Sequence, residues 1–569
     1  MQIYYTLIRI LFLSILLVVM SYTDSEAKNT IKKDPIRDVR AKETQTGKMD
    51  WWHEAKFGMF IHWGLYAVPA NSNEWNMRNF KTKIAEYSKY AEQFNPVKFN
   101  ADEWAKIANE AGMKYMVITT KHHEGFALFK SEASSYNMVD ATPFKRDIIK
   151  ELAVACPRND VKLGLYYSLM ADWGHPGGGI GCPAWDPAQE GSIETYFNTV
   201  AYPHVKELLT NYGPVSEIWF DTDGPEHPTP EQATRITNLI KKTQSQAIVN
   251  DRVVPGDFAN VERATPAQAI QGNWEACDLI IDGSWGYFKN YRPQDVRPLS
   301  FLIRQLIDVV SKGGNMLMDV GPKPDGTIPD DAIERLKGIG SWLKVNGEAI
   351  YGTTASPFDY LPWGRCTRKG DKLYLHVFKW PADGKLKVQM TSKITAAWLL
   401  SDKTKKQMKC KSANGELTIN LSETAPDSIV NVVVLQIKGE PKPVHSIALN
   451  MPTDASVSAV QSKYAVDNSP STFWEISKPT PSWMTIDLQS PRTFNTLRIG
   501  LGRGKVSRFS VDYWKDGQWV SIFKDKNLPL HEYVKTCERI TAQKVRFNLD
   551  EIGSTQEIWI KSFEMFDAH

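Results

Sequence analysis

Five apolar runs in this 569-residue chain end in residues that can carry charge or move a proton. The most informative is Glu217-Ile218-Trp219-Phe220-Asp221-Thr222-Asp223-Gly224, which brings a carboxylate to the point where a strand ends, with a glycine close behind. Phe60-Ile61-His62-Trp63-Gly64 and Val117-Ile118-Thr119-Thr120-Lys121-His122-His123 deliver imidazoles in the same way. Leu163-Gly164-Leu165-Tyr166-Tyr167-Ser168 delivers phenols, and Ile248-Val249-Asn250-Asp251-Arg252 a guanidinium. Strand ends that all present His, Asp, Tyr or Arg predict one pocket at the C-terminal rim of a barrel sheet, where (β/α)8 enzymes keep their chemistry. The chain reads as an enzyme.

The elements that must position this rim alternate from about 51 to 349. A strand over 117–120 precedes a helix over 146–155, and a strand over 163–167 leads into a Gly/Pro-rich loop at His175-Pro176-Gly177-Gly178-Gly179. A helix over about 193–211 feeds the strand ending at Asp221, and a helix near 230–243 feeds the strand ending at Arg252. A helix over 301–310 and a last strand over 315–322 complete the series. This alternation predicts an α/β domain with a parallel sheet, and the rim residues favour a closed barrel over an open sheet. No Gly-x-Gly-x-x-Gly or Walker sequence marks a nucleotide site. After Trp342 and Tyr351 the period changes to β-type, as in Leu373-Tyr374-Leu375-His376-Val377-Phe378 and Ile429-Val430-Asn431-Val432-Val433-Val434-Leu435. Residues 350–439 therefore read as a small β-sandwich, Gly439-Glu440-Pro441-Lys442-Pro443 as a hinge, and 444–569 as a second all-β module.

At this length the chain should divide into two to four domains. The formal net charge is only +3 and the basic residues are scattered, so no electrostatic footprint for nucleic acid exists. Tryptophan is abundant, at 19 residues, beyond what a core comfortably buries; surplus indoles either pack inside or form platforms on which sugars stack. Arg9 followed by the apolar run 10–20 reads as a signal peptide over residues 1–26, too short for a comfortable membrane span. The mature chain is then expected without a transmembrane span, exported to the periplasm or the extracellular space, with 27–50 as a polar lead-in to a catalytic barrel at 51–349. The six cysteines lie far apart without Cys-x-x-Cys spacing, which argues against a thiolate metal site; Cys366 and Cys410 lie within one domain, but buried free thiols are the plainer expectation.

His62-Trp63-Gly64, Glu74-Trp75, Lys121-His122-His123-Glu124-Gly125-Phe126, Tyr166-Tyr167-Ser168, Trp219-Phe220-Asp221, Asn250-Asp251-Arg252 and Ser284-Trp285-Gly286-Tyr287 follow one another in this order. With them, the segment 51–345 resembles the retaining α-L-fucosidase family (glycoside hydrolase family 29). The last 125 or so residues resemble a discoidin-type, galactose-binding-like module. The resemblance implies a (β/α)8-like barrel followed by a β-sandwich and the discoidin-like sandwich. It also implies hydrolysis of terminal α-linked L-fucose on fucosylated glycans, with no organic cofactor and a possible structural calcium in the C-terminal module near Asp467, Asn468 and Trp474. Another sugar such as galactose, or glycan binding without catalysis, are the rival readings.

The resemblance makes Asp221 the nucleophile. An ionised carboxylate can attack C1 and stabilise charge on the ring, although an Asp at a strand end also serves simply to cap the next helix. The acid/base is open between two residues: Glu262, in Gly256-Asp257-Phe258-Ala259-Asn260-Val261-Glu262, and Glu275, in Trp274-Glu275. Glu262 is preferred because a loop carboxyl can approach the glycosidic oxygen from outside the sugar, whereas Glu275 precedes an apparent strand at 279–281 and can organise the pocket floor. His62, His122 and His123 resemble sugar-hydroxyl ligands; with Asp221 they would also suit zinc, but no His-x-His pairing accompanies them. Glu74 and Trp75 resemble a hydroxyl-binding carboxylate and a wall beside the C6 methyl. Tyr167 and Arg252 would orient the nucleophile or its neighbours, and Trp285 would pack on the sugar face.

Overall fold

In a computed structural model of the chain, the residues described are 47–221, 227–253, 256–263, 265–266, 272–413, 415–467, 472–478, 480–530, 532–553 and 557–567. The expected signal peptide, Asp223 and Asn468 lie outside them.

Eight strands form one sheet: β1 Phe57–Ile61, β2 Tyr115–Lys121, β3 Lys162–Ser168, β4 Glu217–Asp221, β5 Ile248–Val249, β6 Ala259–Glu262, β7 Trp274–Leu279 and β8 Asn315–Val320. Their order is β5-β4-β3-β2-β1-β8-β7-β6, with every pairing parallel. The ring closes between β5 and β6 through a parallel bridge from Asn250 to Phe258 and an Asp257 N–H donated to Val249 O at 2.7 Å. Almost every strand residue is buried, because helices cover the outside while side chains fill the inside.

The helices form where an apolar stripe meets a cap. Helix α1, Ala101–Glu110, starts at Asn100, whose side chain accepts the Asp102 and Glu103 N–H groups. Helix α2, Ile148–Arg158, starts at Asp147 in the same way. Helix α3, Tyr202–Asn211, continues a helical run that begins at Ile193 and widens to a π turn over Phe197–Ala201. Helix α4, Pro230–Thr243, opens with a capping box between Thr229 and Gln232. Helix α5, Leu299–Ser311, buries Leu302, Ile303, Leu306, Ile307 and Val310, an i, i+4, i+8 stripe against the sheet. Helix α6, Asp330–Asn346, closes the domain. Among the described residues no helix lies between β5 and β6 or between β6 and β7, so the alternation read from the sequence breaks at these two crossovers.

Side chains two apart on a strand point the same way, which stacks the barrel interior in layers. On β4, Glu217 lies lowest, Trp219 above it and Asp221 at the rim. On β7, Glu275 lies level with Asn260 of β6 and Cys277 level with Glu262. Gly58 on β1 leaves the room that the Tyr115 ring fills: a Cβ there would stand 2.6 Å from it.

Two antiparallel sandwiches follow. Strands 364–369, 372–377, 393–399 and 431–438 pack on strands 385–389, 410–413 and 416–420 around Leu373, Leu375, Val388, Ile419, Val433 and Leu435. The C-terminal module is built on long strands at 482–503, 506–515, 518–528, 533–552 and 558–566, with Phe494, Leu497, Val511, Phe547 and Phe563 inside. Ionic contacts join the three parts. Asp308 of α5 meets Arg365 of the middle sandwich at 2.5 Å, and Arg365 meets Glu532 of the C-terminal module at 3.2 Å. Within the C-terminal module, buried Arg498 meets Glu532 at 3.1 Å and Glu564 at 2.8 Å, and it also donates to the Asp359 carbonyl of the middle sandwich. All six cysteines are free.

Candidate active site

The C-terminal ends of the strands open on a cavity of about 470 Å³ lined by Phe60, His62, Trp75, His122, His123, Tyr166, Trp219, Asp221, Arg252, Glu262, Cys277 and Trp285. Asp221 ends β4 at its edge. Its Oδ2 accepts the Tyr166 hydroxyl at 2.6 Å and lies 3.6 Å from His123 Nε2, while its Oδ1 accepts from Arg252 Nη1. Burial pushes this carboxyl up, but the Arg252 guanidinium, His123 and the Tyr166 hydrogen bond outweigh it and hold Asp221 below the usual carboxylate range. It is ionised.

The other terminal nitrogen of Arg252, Nη2, donates to Glu262 Oε2 at 2.6 Å. One guanidinium thus holds a carboxylate on each side, and its plane lies 4.7 Å over the Trp219 ring, which fixes its orientation. The Glu262 side chain is 42% exposed at the cavity mouth.

Glu275 stands elsewhere. It sits inside β7 rather than before a strand, fully buried one layer below Cys277, and accepts the Tyr115 hydroxyl at 2.5 Å. Its neighbour is Glu217, and burial pushes both carboxyls up, Glu275 to about 7. The strand expected at 279–281 in fact begins at Trp274 and contains Glu275, in line with its reading as a floor residue, whereas Glu262, read as a loop carboxyl, ends strand β6.

Tyr167 is the second correction. Strand alternation turns Tyr166 inward, onto Asp221, and Tyr167 outward, where its hydroxyl meets His204 Nδ1 of α3 at 3.1 Å. Contact with Asp221 therefore falls to Tyr166, which also stacks on Trp219 at 5.5 Å.

The histidines differ in state. Burial pushes the His62 imidazole down to about 4 against the pull of Glu74, Asp221 and Glu262, and burial pushes its partner Asp319 up. Their 2.7 Å contact from Nδ1 to Oδ1 is a net-neutral unit with one shared proton. Burial above all, then the neighbouring His123, His62 and Lys121, holds His122 neutral, and its buried Nδ1 has no partner among the described residues. A buried nitrogen of this kind awaits a ligand or water. Ser168 donates to Ala171 O at 2.7 Å, so the 2.7 Å contact between Ser168 Oγ and His123 Nδ1 is a donation from the imidazole. His123 Nε2 then faces the cavity beside Asp221.

Glu74 is set behind the wall: its Oε2 accepts from Ser284 Oγ at 2.8 Å and from the Trp285 N–H at 3.0 Å, which pins the Trp285 loop. Asp172 accepts Lys121 Nζ at 2.8 Å and fixes the loop that carries Trp173 against Trp75 and His123. Sequence reading missed Tyr166, Trp219, Ser168 and Asp319 as parts of the site. The first three lie two residues from, or beside, residues it did name, and Asp319 near the end of the last barrel strand carried the same signal as Asp221. No described group of three or more His, Cys, Asp or Glu side chains is arranged to hold a metal ion.

Comparison with known proteins agrees with this geometry. A family model described as alpha-L-fucosidase matches residues 25–348, and one described as F5/8 type C domain matches residues 453–563. Human plasma alpha-L-fucosidase is 37% identical over 371 residues, covering 59% of this chain and 77% of its own. The structure of alpha-L-fucosidase from Vibrio sp. strain EJY3 superposes with a TM-score of 0.72 at 27% identity, covering 92% of this chain and 98% of that one. A Bacteroides thetaiotaomicron alpha-L-fucosidase, described as a covalent intermediate trapped with 2-fluoro-fucosyl fluoride, superposes with a TM-score of 0.63 at 29% identity over 70% of this chain and 97% of its own.

Proposed function

The chain belongs to the alpha-L-fucosidase family and is an exo-acting alpha-L-fucosidase; from that premise we propose that it works by double displacement, with Asp221 as nucleophile and Glu262 as acid/base. The observation that carries the assignment is the shared Arg252, which keeps the two carboxylates close without letting them touch. A retaining site needs a separation of about 5–5.5 Å. The covalent intermediate described for the Bacteroides thetaiotaomicron relative supports the same course.

Substrate entry releases Glu262 from Arg252, and Glu262 takes a proton from solvent that it then gives to the glycosidic oxygen. As that proton transfers, an Asp221 oxygen bonds to C1 and the bond from C1 to the leaving oxygen breaks. Glu262, now a carboxylate, takes a proton from water, whose oxygen bonds to C1 while Asp221 departs. Fucose leaves with its anomeric configuration kept. Neutral His62 and His122, with His123, present ring nitrogens to the sugar hydroxyls, and Trp75 and Trp285 supply apolar walls. Glu275 serves the floor, not the leaving group.

Asp221→Ala is expected to lower kcat by about 10⁴-fold or more, with partial recovery in azide, which enters the vacated space. Full activity in that variant, or a first-formed sugar of inverted configuration by NMR, would overturn the assignment. Glu262→Ala should retain turnover only on aryl fucosides with good leaving groups, and aryl galactosides should be poor substrates throughout.

Two narrower readings accompany this one. Export to the periplasm or outside the cell rests on residues 1–26 and is tested by sequencing the mature N-terminus; no described helix is long and apolar enough to cross a membrane. Calcium in the C-terminal module rests on the hard oxygens of Asp467 and Thr472, which lie 2.8 Å apart. A chelator should then lower the melting temperature and leave aryl fucoside hydrolysis unchanged.

A further inference from the structure

Three of the tryptophans lie on the outer face of the C-terminal sheet. Along strand 482–503, Met484 and Ile486 enter the core while Trp483 and Thr485 face out. Along strand 533–552, Val545 and Phe547 enter the core while Arg546 and Asn548 face out. Trp514 and Trp519 pair across the neighbouring hairpin, whose turn at Asp516-Gly517 has φ of 49° and 82°, the geometry of a tight, twist-matched turn. The Arg546 guanidinium sits 4.5 Å over the Trp483 ring and 4.1 Å over the Trp519 ring, and Trp514 packs edge-on to Trp519 at 5.0 Å. Trp514 is 40% exposed. Beside the indoles, Asn548 donates to Asp512 Oδ2 at 2.7 Å.

We propose that this strip is a glycan-binding surface separate from the catalytic pocket, on which Trp483, Trp519 and Trp514 stack the apolar faces of neutral pyranose rings and Asp512 and Asn548 bond their hydroxyls. An indole buries area at little entropic cost, and the guanidinium wedged between two of them fixes their rotamers before any ligand arrives. The strip crosses four adjacent strands, about 14 Å at the usual strand spacing, so a short run of rings spans it. Arg546 does not recruit acidic ligands, because its charge is offset by the two indoles and by nearby Asp512 and Asp454. The same acidic neighbours disfavour a nucleic acid, which needs a basic track beside its stacking groups. The site lies on the sheet face beside the Asp516-Gly517 turn and is independent of which carboxyl serves as acid.

The test is affinity electrophoresis of the full-length protein with free L-fucose saturating the pocket, through gels holding fucosylated xyloglucan, fucose-free galactomannan or sulfated fucoidan. Wild type should be retarded by a neutral polysaccharide, and Trp514→Ala with Trp519→Ala should bind about tenfold more weakly. Trp519→Tyr should retain most binding, and all variants should keep kcat/KM on a small aryl fucoside within about twofold, which separates this proposal from the catalytic one. The proposal is overturned if neither neutral gel retards the wild type, if the double variant is retarded equally, or if only fucoidan retards it.

Discussion

Two adjacent tyrosines at the end of β3 separate catalysis from packing. Tyr166→Phe removes a donor from Asp221 Oδ2, and kcat/KM should fall about tenfold. Loss of that donor raises the Asp221 pKa, so the acidic limb of the kcat/KM profile should move to higher pH. Tyr167→Phe removes only the contact to His204 and should change kcat/KM by less than about twofold while lowering stability slightly. Which tyrosine faced the sugar was not legible in the chain. Both end the same apolar run, and choosing between them needs the phase of β3 against β4, where Tyr166 pairs with Trp219 and Ser168 with Asp221. Asp221 and the histidines were legible because polar side chains at the close of an apolar run have few reasons to be there.

Below the site, Glu217 and Glu275 make the barrel floor titratable. Glu275 has its pKa raised by burial from 4.5 to about 7, so its protonated form is favoured by the fold. The stability it contributes is complete below its unfolded value near 4.5 and is lost as pH rises through about 7. Wild type should therefore lose stability between those limits, and Glu275→Gln, which stays neutral, should flatten the dependence. Chemical denaturation at several pH values checks this, and a steeper slope in the variant would contradict it. The parallel sheet itself could be read from alternating runs, since most strands stand beside a capped, striped helix. The two crossovers around β6 could not: there the chain passes from strand to strand without a described helix, and Glu275 disguised the start of β7.

Charged side chains contribute to the assembly of the three parts. Arg498→Met removes both the donor to the Asp359 carbonyl of the middle sandwich and the 2.8 Å ion pair with buried Glu564, which should destabilise the protein by roughly 3–5 kcal/mol. Calorimetry should then show the C-terminal module melting apart from the barrel, with aryl fucoside kinetics unchanged below that transition. The surplus of tryptophan pointed toward sugar platforms, but only the strand alternation tells which indoles face out.

Arg252 also determines how the enzyme responds to dissolved ions. Arg252 offsets part of the charge of Asp221 and Glu262, His62 and His122 add none, and the sugar is uncharged. Encounter therefore gains nothing from long-range attraction. From about 0.01 M to about 1 M sodium chloride the Debye length shrinks from about 30 Å to about 3 Å, yet kcat/KM on a neutral aryl fucoside should stay nearly constant.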